Sequence, residues 1–319
     1  MDDPTTYNHK FFEAKSAEVK LHYVDEGEGT EKVVVFLHGW PDIWYGWHKQ
    51  IRPVAKAGYR VIAPDLPGMG QTKADPKKLS LFTHKVVSGV INELLESLGI
   101  KKFILLGHDW GGELAWKYSI MHSDRVTAVG AFVTPYWPRP EKCMTLDILV
   151  ARSPAFKYQQ YFNTEEAVKE LDADIDKLIR FAYRSHKTDN LLKEGVWMAD
   201  GLMRAAKDVK PSDILTEQET AYYVSQFKQS GMRGSLNWYR TLELNWADLE
   251  GFPVEIKRPT LMVTAENDPV CSPALTIGME KIMPNLTRVA VEKCGHFILA
   301  EKHEEATKAI LDWLKKISC

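Results

Sequence analysis

Three short apolar runs, each closed by a turn that contains glycine, mark the first third of the chain. Val33–Leu37 ends in His38-Gly39, Arg60–Ala63 in Pro64-Asp65-Leu66-Pro67-Gly68, and Phe103–Leu106 in Gly107. Between the last two lies a helical pattern, about Leu79 to Leu98, with apolar residues at Val86, Val87, Val90, Ile91, Leu94 and Leu95. Continuous apolar strands alternating with amphipathic helices read as buried parallel strands in βαβ units. After Val126–Val133 the pattern changes, and residues 138–247 carry many aromatics and polar helical stretches but few strand signals. Strand signals return at Pro259–Thr264 and Thr287–Val291, and a helix follows over Glu304–Ile317. The pattern predicts an α/β fold with a mostly parallel, doubly wound sheet. Its core covers 1–137 and resumes over 248–319, with a helical lid, 138–247, inserted before the last two strands. Such an insertion leaves from the carboxyl edge of the sheet, where ligands bind, so the lid is expected to cover the site.

Composition narrows the class of partner. The chain has 319 residues, 45% of them hydrophobic, enough for one large domain with an insertion. A formal net charge of −2 gives no reason to expect nucleic acid or an anionic membrane surface as partner. No apolar run is long enough to span a bilayer, and the polar start Met1-Asp2-Asp3-Pro4 does not read as a secretory signal. Cys143, Cys271, Cys294 and Cys319 are scattered, with neither metal-ligand spacing nor a disulfide framework. A cytoplasmic protein is expected. Asn285-Leu286-Thr287 matches a glycosylation acceptor and is read as chance. Nothing in the pattern sets an oligomeric state.

The central chemical signal is Gly107-His108-Asp109-Trp110-Gly111-Gly112, between a short strand and a helix. This is the context of the nucleophile elbow G-x-S-x-G with Asp in place of Ser. The helix start would direct free N–H groups toward the carboxylate and keep it ionised. The simpler alternative is that Asp109 only caps the helix. A carboxylate that displaces a leaving group at saturated carbon forms an ester, which water can hydrolyse, whereas a serine would leave a stable ether. Asp at this position therefore points to epoxides or alkyl halides and away from esterase substrates.

Hydrolysis of that ester needs a base. His296, in Cys294-Gly295-His296-Phe297, follows the last strand signal. In hydrolases of this fold the chain order is nucleophile, acid, histidine. Asp268, in Thr264-Ala265-Glu266-Asn267-Asp268-Pro269, sits in the loop after a strand and is preferred over Glu266 as the acid; the alternative role for Asp268 is an Asx turn. His38-Gly39-Trp40-Pro41 closes the first central strand. Its Trp40 amide, with that of Trp110, is expected to form an oxyanion hole, and Pro41 can hold a cis bond.

At these residues the chain resembles the soluble and fungal epoxide hydrolases of the α/β-hydrolase superfamily. The resemblance runs from His38-Gly39-Trp40-Pro41-Asp42-Ile43-Trp44-Tyr45 through the Asp109 segment to Cys294-Gly295-His296. In the lid, Phe156-Lys157-Tyr158-Gln159 and Gly234-Ser235-Leu236-Asn237-Trp238-Tyr239-Arg240 resemble the two segments that carry ring-opening tyrosines. The resemblance thus implies that Tyr158 and Tyr239 hydrogen-bond an epoxide oxygen. Read from composition alone, with 12 tyrosines, 12 phenylalanines and 10 tryptophans, they would be core aromatics. A phenol of pKa about 10 stays protonated at neutral pH and can support a departing alkoxide. The family form with an added N-terminal phosphatase domain is not expected, because the hydrolase pattern starts early in the chain. Phe297 stands where many relatives have Trp, a change expected in the pocket wall only.

The resulting expectation is a covalent cycle on an epoxide and water with no metal or organic cofactor. Phe156, Phe162, Trp238 and Phe297 are expected to line the substrate pocket, which suits lipid-like or aryl epoxides. A haloalkane or fluoroacetate dehalogenase would share Asp109, Asp268 and His296 but has no use for paired tyrosines. A non-catalytic receptor of the same fold would usually lack part of the triad.

Overall fold

The computed structural model describes residues 3–27, 29–188 and 209–317. The 189–208 part of the expected lid, and Cys319, lie outside the described residues. Among the described residues nine strands form one sheet: β1 (His9–Glu13), β2 (Val19–Glu26), β3 (Val33–Leu37), β4 (Arg60–Pro64), β5 (Lys73–Ala74), β6 (Phe103–His108), β7 (Val126–Phe132), β8 (Thr260–Ala265) and β9 (Leu286–Val291). Their order is β1-β2-β4-β3-β6-β7-β8-β9, with β5 paired to β2. From β4 to β9 every pairing is parallel, while β2 runs antiparallel to β1, β4 and β5.

The strand chemistry explains the sheet. β3 (VVVFL) and β8 (TLMVTA) are buried along their whole length. Such β-branched and apolar runs can be sealed on both faces, as a parallel sheet between helices requires. Helix His48–Lys56 packs with helix His303–Ile317, and helix His84–Ser97 packs with helix Trp110–Met121. The β1–β2 antiparallel edge was not among the expectations.

Between β7 and β8 the chain leaves the sheet for a run of helices: Leu146–Arg152, Tyr158–Phe162, Glu165–Ala173, Ile175–Ala182, Glu217–Ser230, Met232–Leu236 and Leu242–Asp248. Their starts are chemically marked. Thr145, Thr164 and Asp174 each cap the following helix through the side chain, and Thr216 and Glu219 form a reciprocal capping box. These helices are seated over the loops that follow β3 and β4. The Trp40 indole donates to Ser235 Oγ at 3.1 Å, and the Trp238 indole donates to the Pro67 carbonyl at 3.0 Å. The chain passes from β3 to β4 on one side and reaches β6 on the other, so the strand order reverses beside β3. The loops after β3 and β6 therefore flank the crevice in which ligands of such sheets bind.

Candidate active site

Asp109 follows β6 directly and starts helix Trp110–Met121 with φ 52°, a left-handed value few residues other than glycine adopt. Two glycines make this turn feasible. A Cβ on Gly107 would lie 2.0 Å from the Gly111 carbonyl oxygen, and one on Gly111 would lie 2.2 Å from the Leu37 carbonyl oxygen. Any side chain there would collide with backbone that cannot yield. The strained turn has a positional result: Asp109 makes no side-chain capping bond to its own helix, so its carboxylate is free to face outward. Thr134 steadies it by donating to the Asp109 carbonyl at 2.8 Å.

The two carboxylate oxygens have different surroundings. Oδ1 accepts the Trp40 amide at 2.8 Å. Oδ2 stands 3.5 Å from His296 Nε2. On the far side of that ring, Nδ1 lies 2.8 Å from Asp268 Oδ2. The other oxygen of Asp268 accepts the amides of Val270 and Cys271, both at 2.8 Å, so this carboxylate is fully employed. Glu266, the rival acid, instead accepts the Lys293 amide and takes no part.

These contacts set the charges. Burial opposes ionisation of Asp109, but the hydrogen bond and charge of His296 and the Trp110 amide outweigh it and lower its pKa. Burial likewise opposes charge on His296, yet Asp268 and then Asp109 hold its pKa well above the ordinary imidazole value. The carboxylate is therefore ionised and the imidazole protonated between two anions.

Two further histidines are neutral supports. Burial pushes His38 down to about 4; its Nε2 accepts the Leu66 amide at 2.8 Å and its Nδ1 donates to the Gly39 carbonyl at 2.9 Å, fixing the loop that carries the Trp40 amide. Burial also pushes His108 down to about 4, and its Nε2 donates to the main-chain oxygen of His296 at 2.9 Å. The Trp40–Pro41 bond is cis.

The insertion supplies the opposite wall. Tyr158 begins helix Tyr158–Phe162, and Tyr239 lies in the short 3₁₀ turn Asn237–Arg240. Their rings meet edge to face at 5.9 Å, and Tyr239 stands perpendicular to both Trp40 and Trp110. Burial raises both phenols well above their ordinary pKa, and the charge of Asp109 adds to this, so both remain donors. With Trp40, Pro41, Asp109, Ala182, Pro269, Val270, His296 and Phe297 they enclose a cavity of about 30 Å³. Larger grooves, such as the one between β9 and helix His303–Ile317, lie on the outer surface away from these groups.

Of the four side chains expected to line the pocket, Phe297 does so. The other three are not among its lining residues. Phe162 supports Tyr158 and Tyr239 from behind, Trp238 is fully buried against Trp110 and His84, and Phe156 packs on Trp137. Large apolar rings that also hold the polar wall in place are drawn into the layer behind it.

The sequence reading missed a polar cluster behind the cavity. Asp42, almost fully buried, accepts the Ile43 amide and the Tyr223 hydroxyl, each at 2.8 Å. Tyr183 donates to the Pro41 carbonyl at 3.2 Å and stacks on Phe297 at 4.1 Å. Burial pushes Asp42 up to about 7, against the hydrogen bonds of Ile43, Tyr223 and Tyr183. Asp42 stands in the quoted His38–Tyr45 segment, but its partners lie more than 140 residues away, which no local pattern reveals.

The arrangement can hold a carboxylate ionised, stabilise a negative oxygen on it, donate protons to an oxygen opposite, and activate water beside it. The profile of the alpha/beta hydrolase fold family matches residues 32–303. Epoxide hydrolase 1 of Siraitia grosvenorii is 31% identical over 316 residues, spanning 93% of this chain and 96% of that protein. This chain belongs to the epoxide hydrolase family of the α/β-hydrolase fold. Bifunctional epoxide hydrolase 2 of Sus scrofa is 35% identical over 316 residues, covering 98% of this chain. The chain spans only 56% of the length of that mammalian relative. Among solved structures, epoxide hydrolase A from Mycobacterium thermoresistibile superposes with a TM-score of 0.85 at 27% identity, covering 97% of this chain and 98% of that one. No helix among the described residues is long and apolar enough to cross a membrane.

Proposed function

We propose that this protein hydrolyses epoxides to vicinal diols through a covalent ester on Asp109. The observation that carries the reading is the pairing of an ionised carboxylate with two protonated, buried tyrosines across one small cavity. An epoxide oxygen leaves as a basic alkoxide and needs proton donors, whereas a departing halide does not.

The cycle read from this geometry has two halves. Oδ2 of Asp109 attacks an epoxide carbon while Oδ1 keeps the Trp40 amide. The C–O bond of the ring breaks, and Tyr158 and Tyr239 stabilise the oxygen and supply its proton. Esterification removes the negative charge of Asp109. Opposite charges 3.5 Å apart are worth on the order of 5 kcal/mol at an effective dielectric near 20, so losing one of its two anions lowers the pKa of His296 sharply. The imidazolium then releases its proton, which replaces the one the tyrosines gave to the substrate, so the neutral ring becomes a base only once the ester exists. It then takes a proton from water, which attacks the ester carbonyl, while the amides of Trp40 and Trp110 hold the resulting oxyanion; as this collapses, the ester C–O bond breaks, the diol oxygen takes the proton from the ring, and the new carboxyl group returns its own proton to His296. Asp268 orients the ring and stabilises its charge.

In this reading the helical insertion, residues 138–247, is a lid on a core formed by 1–137 and 248–319. It closes the site against bulk water and contributes both tyrosines. Neutral, largely apolar epoxides suit the cavity, whose wall otherwise consists of Trp40, Pro41, Ala182, Pro269, Val270 and Phe297. The test is product analysis with an aryl, a terminal aliphatic and a fatty-acid epoxide, beside a haloalkane and fluoroacetate. Diol formation without halide release is expected, and halide release without diol would replace this reading with a dehalogenase.

A further inference from the structure

The cysteine spacing in the sequence gives no metal signal, yet the fold brings one cysteine to the edge of the triad. Cys271 lies three residues after Asp268 in the loop that follows β8, and its own amide donates to that carboxylate. Its sulfur, an oxygen of Asp268 and a ring nitrogen of His296 all lie within 4.8 Å of one another. The thiol is buried, interacts with Thr134, and lies in the neighbourhood of Tyr158 and Tyr239. The catalytic cycle proposed above makes no use of it.

From this juxtaposition we propose that Asp268, Cys271 and His296 form an inhibitory site for a thiophilic divalent cation, zinc being the ion whose chemistry fits. One thiolate, one imidazole and one carboxylate are the three donor types zinc prefers, and three protein ligands leave a fourth position for water. Zinc–donor bonds of about 2.0–2.3 Å place neighbouring donors roughly 3.3–3.7 Å apart in a tetrahedron. The Asp268–His296 pair, 2.8 Å apart, would open slightly, and the sulfur would close by up to about 1 Å, within reach of a side-chain rotation. The ion enters by the cavity that His296, Pro269 and Val270 line.

Burial and the anions of Asp268 and Asp109 hold the thiol protonated, which makes it a poor target for oxidation or alkylation. A metal ion instead displaces the proton. On binding, the thiol releases one proton and the imidazolium another, both to solvent, and the three donors bind the ion without redox change. Coordination at Nδ1, the nitrogen that faces Asp268, leaves Nε2 protonated and so ends the role of His296 as base. Asp109 and the tyrosines are untouched. Zinc therefore stops the cycle after the ester has formed.

This inference rests on the covalent reading for its effect on turnover but not for binding, so two measurements are made. Competition with a chromophoric chelator measures zinc binding without substrate. One equivalent should bind wild-type protein, and Cys271→Ala or, should that variant fold poorly, Cys271→Ser should bind at least tenfold more weakly. With an epoxide, zinc should inhibit wild type reversibly by EDTA and leave an adduct mass on the protein, while the cysteine variant keeps basal turnover and loses at least tenfold in zinc sensitivity. Magnesium at equal concentration should do neither. Equal zinc binding by wild type and both variants, or equal inhibition by magnesium, overturns the site. Zinc binding that depends on Cys271, in a protein that forms no diol, would uphold the site and contradict the catalytic reading alone.

Discussion

Nε2 of His296 stands 3.5 Å from Oδ2 of Asp109, longer than an ideal hydrogen bond yet close enough for each group to control the charge of the other. If the pair divides the cycle as proposed, removing either member has a different signature. Asp109→Ala should abolish both steps. His296→Gln should slow ester hydrolysis far more than ester formation, so intact-protein mass after mixing with an epoxide should rise by the mass of the substrate. No added mass in the glutamine variant, together with turnover by the alanine variant, would contradict the assignment.

The tyrosines are expected to share one task. General-acid assistance is typically worth ~10²–10⁴-fold. Tyr158→Phe and Tyr239→Phe should each slow alkylation, since the remaining hydroxyl still donates, and the double variant should lose most activity while keeping a wild-type melting temperature. Pre-steady-state alkylation rates measure this. Normal epoxide turnover by a folded double variant would remove the reason to prefer epoxides over halides.

Asp42 gives the stability a pH dependence of definite sign. Its folded pKa is raised to about 7, above the ordinary carboxylate value, so the folded state holds its proton over a range where the unfolded chain has lost it. The contribution to stability is full below about pH 4, declines as pH rises through the interval, and levels off above about pH 7, a loss of about 4 kcal/mol. Asp42→Asn keeps an oxygen for the Tyr223 hydroxyl and the Ile43 amide but cannot ionise. Urea unfolding at pH 4 and pH 8 should show the variant gaining on wild type at the higher pH. A difference that is the same at both values would show that Asp42 ionises normally when folded.

How far the chain could be read without coordinates depends on the physics of each part. β3, β4, β6, β7 and β8 were legible within a residue or two, because strands buried on both faces are continuous apolar runs, and the edge strand β9 was legible from its β-branched residues. The β1–β2 edge was not, since HKFFE and VKLHYVDE mix charge with apolar side chains. Helix His48–Lys56 was obscured by Pro53 within it. The arrangement of Asp109, Asp268 and His296 was legible because a strained elbow needs its glycines and the chain order is fixed by the sheet. Tyr158 and Tyr239 were visible only through family resemblance. Asp42 with Tyr223, and Cys271 with His296, were invisible, because what matters in each is a contact between distant segments.

The elbow glycines should tolerate nothing larger. Gly111→Ala places a methyl group 2.2 Å from the Leu37 carbonyl oxygen. Relief by backbone movement should cost about 1–3 kcal/mol of stability and displace Asp109 from the Trp40 amide. Chemical denaturation and alkylation rate should fall together. A fully stable variant with wild-type alkylation would show that the turn is not held as tightly as its geometry indicates.

The covalent path itself is tested most directly by following oxygen. If Asp109 attacks carbon, the oxygen delivered to the substrate in the first turnover comes from its own carboxylate, and the oxygen of water remains on the enzyme. A single turnover in ¹⁸O-labelled water, with enzyme in excess, should give largely unlabelled diol and place the label in the peptide that contains Asp109. Repeated turnover should then carry label into the diol as the carboxylate exchanges its oxygens. Full labelling of the diol in the first turnover, with none in the Asp109 peptide, would contradict the account and make Asp109 a general base that activates water.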